Sequence, residues 1–246
     1  MKDSMGDRIK NYEDRVRYSL PRRCYTMLRL DGKAFHTYTR KLERPFDLQF
    51  REAMQATARY LCENIQGCKI GYVQSDEISL VLTDFDNIGT SAWFDGNLQK
   101  IVSVSAGMAS AYFNYYRHKQ LGILGYEVFD SRAWTLADPW EVFNSFLWRQ
   151  NDCTRNAIQM VARSVATHKE CHNKNLPQLQ ELIHQKGINF NDYPADCKRG
   201  AFLYYDVIGW RVDLESPVIS QDQKFFFDKL PMIPQVYLEP KSKEGE

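Results

Sequence analysis

Lys69-Ile-Gly-Tyr-Val-Gln74-Ser75-Asp76-Glu77-Ile-Ser-Leu-Val-Leu-Thr83 reads as two short strands, Lys69 to Val73 and Glu77 to Thr83, joined by the turn Gln74-Ser75-Asp76. Gly67 breaks the chain just before this hairpin. A helix precedes the break, from about 47 to 65, because Phe50, Met54, Ala58, Leu61 and Ile65 recur at helical spacing. Pro45 and Asp47 punctuate its start, and Cys24 to Leu30 is an earlier β-rich run that stops at Asp31-Gly32. After the hairpin come a loop over 85–96, a long helix from about 97 to 118, and a strand at Tyr126 to Phe129 that extends towards Leu136. The order β-α-β-β-α-β is that of the split βαβ, ferredoxin-like unit, an α+β fold.

The flanks add to this unit. Residues 4–19 read as a short helix ended by Pro21. Asp138-Pro139 starts a helix that runs to about Arg163, with Pro at the first helical position. A further helix covers roughly 176–186, and Ala201 to Trp210 reads as a final strand. The expected organisation is a catalytic core over 1–137 and a helical C-terminal portion over 138–240 packed on it as one structural unit. A charged, disordered tail over 241–246 follows.

The chain has 246 residues, 43% hydrophobic and 26% charged, an ordinary globular balance with room for a substantial core. Its net charge of +1 supplies no global field for nucleic acid, so any RNA surface must come from local clusters of Lys and Arg. None of the six cysteines forms a CxxC pair, and reduced thiols in a cytosolic protein are the simpler expectation. There is no apolar signal region at the N-terminus and no apolar run long enough to span a bilayer. A cytoplasmic protein without membrane association is therefore expected.

Two carboxylates stand out. Asp31 follows the first strand and Asp76 sits in the hairpin. In a split βαβ sheet these strands are neighbours, so the two side chains can meet at one edge. Adjacent oxygen ligands repel unless a hard cation lies between them, and Mg²⁺ suits such a site because it keeps waters for a phosphate to displace. Two such ions about 3.5–4 Å apart would clamp both oxygens of an in-line displacement. Gly32 lets backbone approach a ligand, and Gly32 to His36 can turn into a helix whose amides face phosphate oxygens. Taken singly, an Asp-Gly pair after a strand is also an ordinary turn.

The words around these residues go further. Arg29-Leu-Asp31-Gly32-Lys33-Ala34-Phe35-His36 and Gln74-Ser75-Asp76-Glu77 resemble the tRNA(His) guanylyltransferase family. So do Trp93-Phe94, Phe129-Asp130-Ser131-Arg132 and Trp148-Arg149-Gln150-x-Asp152, in the family's order. The resemblance implies a palm like that of polymerases and nucleotide cyclases, growing RNA at its 5′ end after activation by ATP. It implies two Mg²⁺ ions held by Asp31, Asp76 and the Gly32 carbonyl. It implies a nucleoside triphosphate, GTP or another, bound by residues 31–36, Ser75 and Asp76. Arg44 stands at a phosphate-contacting position and Asp47 at a base-contacting one. A second triphosphate or the tRNA falls to Arg29, Lys100, Arg132, Arg149, Asn156, Arg163, Lys186, Lys198 and Arg199. A homotetramer, a dimer of dimers, is also implied.

The chain departs from the eukaryotic pattern. Thr154-Arg155-Asn156-Ala157 replaces a His-Ile-Asn-Asn stretch, and Asn97 replaces a basic residue. Both changes resemble the guanylyltransferase-like branch, which implies template-directed repair of tRNAs truncated at the 5′ end. Untemplated addition of one guanosine is the alternative. A cyclase-type enzyme on the same palm is a further one, although the Gly-Gly-Glu/Asp-Glu-Phe hairpin is absent. A non-catalytic RNA-binding module would gain nothing from acidic residues facing phosphate.

Three weaker features remain. Arg149, Asp152, Asn156, Gln159 and Arg163 form one polar stripe, readable as a solvated face or as a contact to RNA or triphosphate. His168, Cys171 and His172 share one helical face, a conceivable zinc site without an evident fourth ligand. Tyr112, Phe113, Tyr115 and Tyr116 read as core or subunit interface.

Overall fold

In the computed structural model the hairpin is the centre of a six-stranded sheet. The structure describes residues 4–234, and the tail over 241–246 lies outside them. The elements in chain order are α1 (Ser4–Asp14), β1 (Tyr25–Gly32), α2 (Phe35–Tyr38), α3 (Leu48–Asn64), β2 (Cys68–Gln74) and β3 (Glu77–Leu82). There follow α4 (Leu98–Leu121), β4 (Phe129–Leu136), α5 (Pro139–Val165), α6 (His168–Cys171), α7 (Leu176–Gln185), α8 (Ala195–Arg199), β5 (Ala201–Asp206), β6 (Gly209–Asp213) and α9 (Gln223–Phe227). The strand order is β4-β1-β3-β2-β5-β6, and every neighbouring pair is antiparallel.

Alternation along the strands builds two cores. Leu28, Leu30, Ile78, Leu80 and Leu82 face α3 and α4, with Phe113, Met54 and Leu61. Met27, Tyr25, Val81 and Tyr72 face the other way, against Val142, Phe143 and Phe146 of α5 and Phe226 of α9. Helix α3 forms where it does because the Asp47 carboxylate accepts from Phe50 N–H (2.7 Å) and Ala53, Met54, Ala58 and Leu61 make a buried stripe. It lies very close to the sheet: a Cβ at Gly71 would stand 2.7 Å from Cys62 Sγ. Asn97 caps α4, accepting from Lys100 N–H, which gives that substitution a structural use. Tyr112 stacks on Tyr60 of α3 with centroids 4.2 Å apart, and Phe113 is fully buried.

Two sequence expectations are corrected. The strand expected from Tyr126 begins at Phe129. Tyr126 is exposed, and Glu127 is tied sideways to Asn114 and Arg117 instead of pairing in the sheet. The single strand expected over Ala201 to Trp210 is a hairpin of β5 and β6. The Asp206 carboxylate accepts from Ile208 N–H (2.8 Å) and Gly209 N–H (3.2 Å), and Gly209 takes a positive φ of 133°. The apolar pair Val207-Ile208 at the tip conceals this turn in the sequence.

Candidate active site

Strand β1 places Arg29 and Asp31 on the α5 side of the sheet, opposite to Leu28 and Leu30. The register sets Asp31 between Glu77 of β3 and Asp130 of β4. One step back, Arg29 lies between Ser79 and Arg132. A row of three carboxylates therefore sits beside a row containing two arginines. Like charges directly opposite on a sheet are destabilising, so nothing in folding alone favours this row.

Asp76 joins them through the backbone. Ser75 turns the hairpin with a left-handed φ of 47°, and the Gly32 N–H donates to the Asp76 carbonyl at 3.0 Å. This bond ties the hairpin turn to the end of β1. Burial pushes the Asp76 carboxyl above its ordinary value, and the charge of Asp31 adds to the effect. Asp31 is pushed up by burial and by Asp130, while Arg132, Arg29 and Arg149 pull it down. Both groups resist charging when no cation is present.

The turn after Asp31 is shaped by Phe35. Its ring packs against Phe50, Phe113 and Phe129 with centroids 5.0–6.1 Å away. A Cβ at Gly32 would stand 2.4 Å from that ring, so glycine lets the ring seat under the strand end. Ala34 adopts a φ of 57° and α2 begins. The amides of Gly32 and Lys33 are spent on the carbonyls of Asp76 and Val128, which corrects the expectation that this whole turn offers its amides to phosphate. Those of Ala34, Phe35 and His36, at the start of α2, have no intrahelical partner.

A cleft of about 570 Å³ opens beside Asp76. His36, Ser75 and Asp76 line it with Arg44 and Asp47, and Asn156 and Arg163 reach it from α5. The structure thus gathers these seven expected site residues in one place. Asp47 is already engaged, accepting from Phe50 N–H and from Glu43 N–H at 3.1 Å. Lys33 is exposed beside the turn, and Lys100 lies at the start of α4 near the Phe94 ring. Three others are occupied outside the cleft. Lys186 pairs with Glu170 at 2.8 Å, Lys198 donates to the Asn191 carbonyl, and Arg199 donates to the Ser216 carbonyl.

Arg149 is the main correction. It is buried, its Nε donating to Glu77 at 2.6 Å and its Nη2 to Asp152 at 2.8 Å. Its guanidinium is spent in an ion-pair network under α5, where an open RNA-facing position was expected. Burial pushes the Glu77 carboxyl up, opposed by Arg149 and Arg29. The sequence assigns Glu77 no role and offers Asp130 only as part of Phe129-Asp130-Ser131-Arg132. Like charges in register across three strands are the signal that finds both. Among the described residues, no three His, Cys, Asp or Glu side chains cluster to hold a metal, so the zinc site conceived for His168, Cys171 and His172 is not formed.

Residues 6–137 match the family model described as Thg1, tRNAHis guanylyltransferase. The chain belongs to this family. It is 29% identical to the tRNA(His) guanylyltransferase of Schizosaccharomyces pombe, over 92% of this chain and 87% of that one. A bacterial Thg1-like protein solved in complex with ATP is 42% identical, with a TM-score of 0.88 over 93% of this chain and all of the other. A bacterial Thg1-like protein in complex with GTP is 38% identical, with a TM-score of 0.79 over the same shares. Family membership makes the chain a nucleotidyltransferase.

Arg149 and Glu77 show side-chain exposures of only 11% and 12%, so removing the arginine leaves Glu77 buried with only Arg29, 3.9 Å away, to offset its charge. Arg149→Ala should lower stability by about 3 kcal/mol, read as the urea midpoint. Replacing both partners by Met should recover most of that loss. A double variant as unstable as the single would show that the pair itself is not the source.

Proposed function

We propose that this protein adds nucleotides to tRNA 5′ ends in the 3′-to-5′ direction, directed by the opposing strand. The observation that carries this reading is Asp76, near enough to feel the charge of Asp31, in the wall of a cleft of about 570 Å³. In the first step, an oxygen of the RNA 5′-monophosphate attacks the α-phosphorus of ATP and pyrophosphate leaves. In the second, the 3′-hydroxyl of an incoming nucleoside triphosphate attacks the activated 5′-phosphorus and AMP leaves.

The donor set fits Mg²⁺. Two carboxylates and the Gly32 carbonyl are oxygen ligands only, and no larger side-chain cage competes among the described residues. When bound, two such ions would offset charge on the attacking and leaving oxygens. The chain's own residues do the rest. The Ser75 side chain favours the charged form of Asp76, against the effect of burial. His36 and Arg44 face the cleft where a triphosphate would lie, with Asn156 and Arg163 opposite. Arg29 and Arg132 flank Asp31 on the other side, where an RNA phosphate can approach.

The strand order β4-β1-β3-β2, with α3 and α4 on one face, supports reading the first four strands as a ferredoxin-like palm. Helix α5 and the elements after it would be an addition packed on its other face. The ATP and GTP complexes of the bacterial relatives support nucleoside triphosphates as substrates. Thr154 and Ala157, standing where the eukaryotic pattern has His and Asn, favour templated repair over addition of one untemplated guanosine.

A tRNA lacking its first nucleotide, offered with and without a pairing base opposite the gap, separates these two activities. Addition should follow the pairing base, and equal guanosine addition to both would defeat the templated reading. Asp76→Ala should lower the addition rate at least about 10³-fold. Its melting temperature should hold or rise, because the backbone bond to Gly32 survives while a buried charge beside Asp31 is lost. Wild-type activity in that variant would overturn the mechanism.

Asp31 and Asp76 hold a cation only when ionised, and both are raised in the cation-free protein. Mg²⁺ affinity should therefore fall as pH drops through these raised values, above the pH at which an ordinary carboxylate would release it. Binding should also expel protons, detectable by calorimetry in buffers of different ionisation enthalpy. In the cation-free protein the same shift favours the folded state at acid pH, a contribution lost as pH rises through the folded values.

A further inference from the structure

The Trp148-Arg149-Gln150 run on α5 divides unevenly between structure and surface. Arg149 is held by Glu77 and Asp152. Gln150 is buried with both ends of its amide used, donating to the Pro217 carbonyl and accepting from Ile219 N–H, each at 2.9 Å. Trp148 is 57% exposed. Its ring is approached by the guanidinium of Arg149 at 4.3 Å and that of Arg29 at 5.8 Å. A large indole left open to water while backed by cations gains little for folding and is suited to receive a flat ring.

Its position decides what that ring is. Arg29 stands two residues before Asp31 on the same face of β1, directly opposite Arg132 of β4. Trp148, Arg29 and Arg132 are all absent from the walls of the cleft beside Asp76. The carboxylate pair thus has two approaches. One is the cleft, with His36, Ser75 and Arg44. The other is the open surface that carries Arg132 and Trp148, with Arg29 largely buried behind them, 3.9 Å from Glu77. If the incoming triphosphate occupies the cleft, the RNA end must come in over the open surface.

We propose that Trp148 is a stacking platform for the 5′-terminal base of the acceptor RNA, with the exposed Arg132 taking that nucleotide's phosphate. The inference rests on the nucleotidyl-transfer function argued above. Stacking is indifferent to base identity, because every base has a π-face. An enzyme that extends a 5′ end by pairing must accept whichever base was added last. Hydrogen-bonded readout at that position would stall it, whereas a bare indole does not.

The test is a cycle of two changes on the full chain. A 5′-truncated tRNA with a 5′-monophosphate is compared with the same RNA made abasic at its first nucleotide, ribose and phosphate intact. Trp148→Ala should weaken binding of the intact RNA by about 5- to 100-fold, while the abasic RNA binds wild type and variant alike. Trp148→Phe should restore most of the affinity, and KM for the incoming triphosphate should stay put. Equal losses on both RNAs, or a change in triphosphate KM in place of RNA affinity, would overturn the platform while leaving nucleotidyl transfer standing. A wild-type protein that adds no nucleotide to the intact RNA would remove the underlying function and the platform with it.

Discussion

A slip of one residue between β1 and β3 would turn Asp31 and Arg29 into the core and bring Leu28 and Leu30 out to the polar face. That constraint underlies the rest of the structure. Leu28, Leu30, Ile78 and Leu80 are fully buried against α3 and α4, so their burial holds the register in place. Once it is set, Asp31 has no choice but to lie between Glu77 and Asp130. The Gly32–Asp76 backbone bond then needs only the two-residue turn to bring the second aspartate in. The apolar side of the sheet thereby determines the geometry of the charged side.

The charged side carries a cost that the fold manages with cations. Arg29 and Arg132 come from the sheet itself, and α5 lowers Arg149 onto Glu77. These three guanidiniums all oppose the upward shift of Asp31. They do so without placing a cation between Asp31 and Asp76, whose mutual repulsion persists. Structural arginines and a proposed substrate-facing one therefore share a small area, with Arg29, 19% exposed and 3.9 Å from Glu77, between the two kinds. Arg149 is enclosed, whereas Arg132 is exposed and only loosely paired with Asp130 at 3.6 Å.

Much of this was legible in the sequence because it is periodic. Alternation in residues 69–83 and helical spacing in 47–65 gave the hairpin and α3 within a residue or two at each end. The motifs around Asp31 and Asp76 point to the candidate site, since a short turn leaves its residues little freedom of placement. What stayed hidden depends on contacts distant in sequence. The stripe from Arg149 to Arg163 looks uniformly polar, yet its first member is buried on the sheet and its last opens on the cleft. Only the docking of α5 separates them. The turn at Asp206–Gly209 was missed for a local reason: its centre, Val207-Ile208, is as apolar as the strands around it.

That hairpin has a consequence for how the protein behaves in bulk. β6 is an edge of the sheet, and Val207 and Ile208 at its tip are essentially fully exposed, at 103% and 91%. An open edge beside bare aliphatic side chains is a template for unwanted strand addition between molecules. The chain limits the hazard by keeping β6 to five residues and setting the exposed Arg211 on it. Solubility during handling and concentration thus leans on a short strand and one exposed arginine at the sheet's far border, remote from the chemistry.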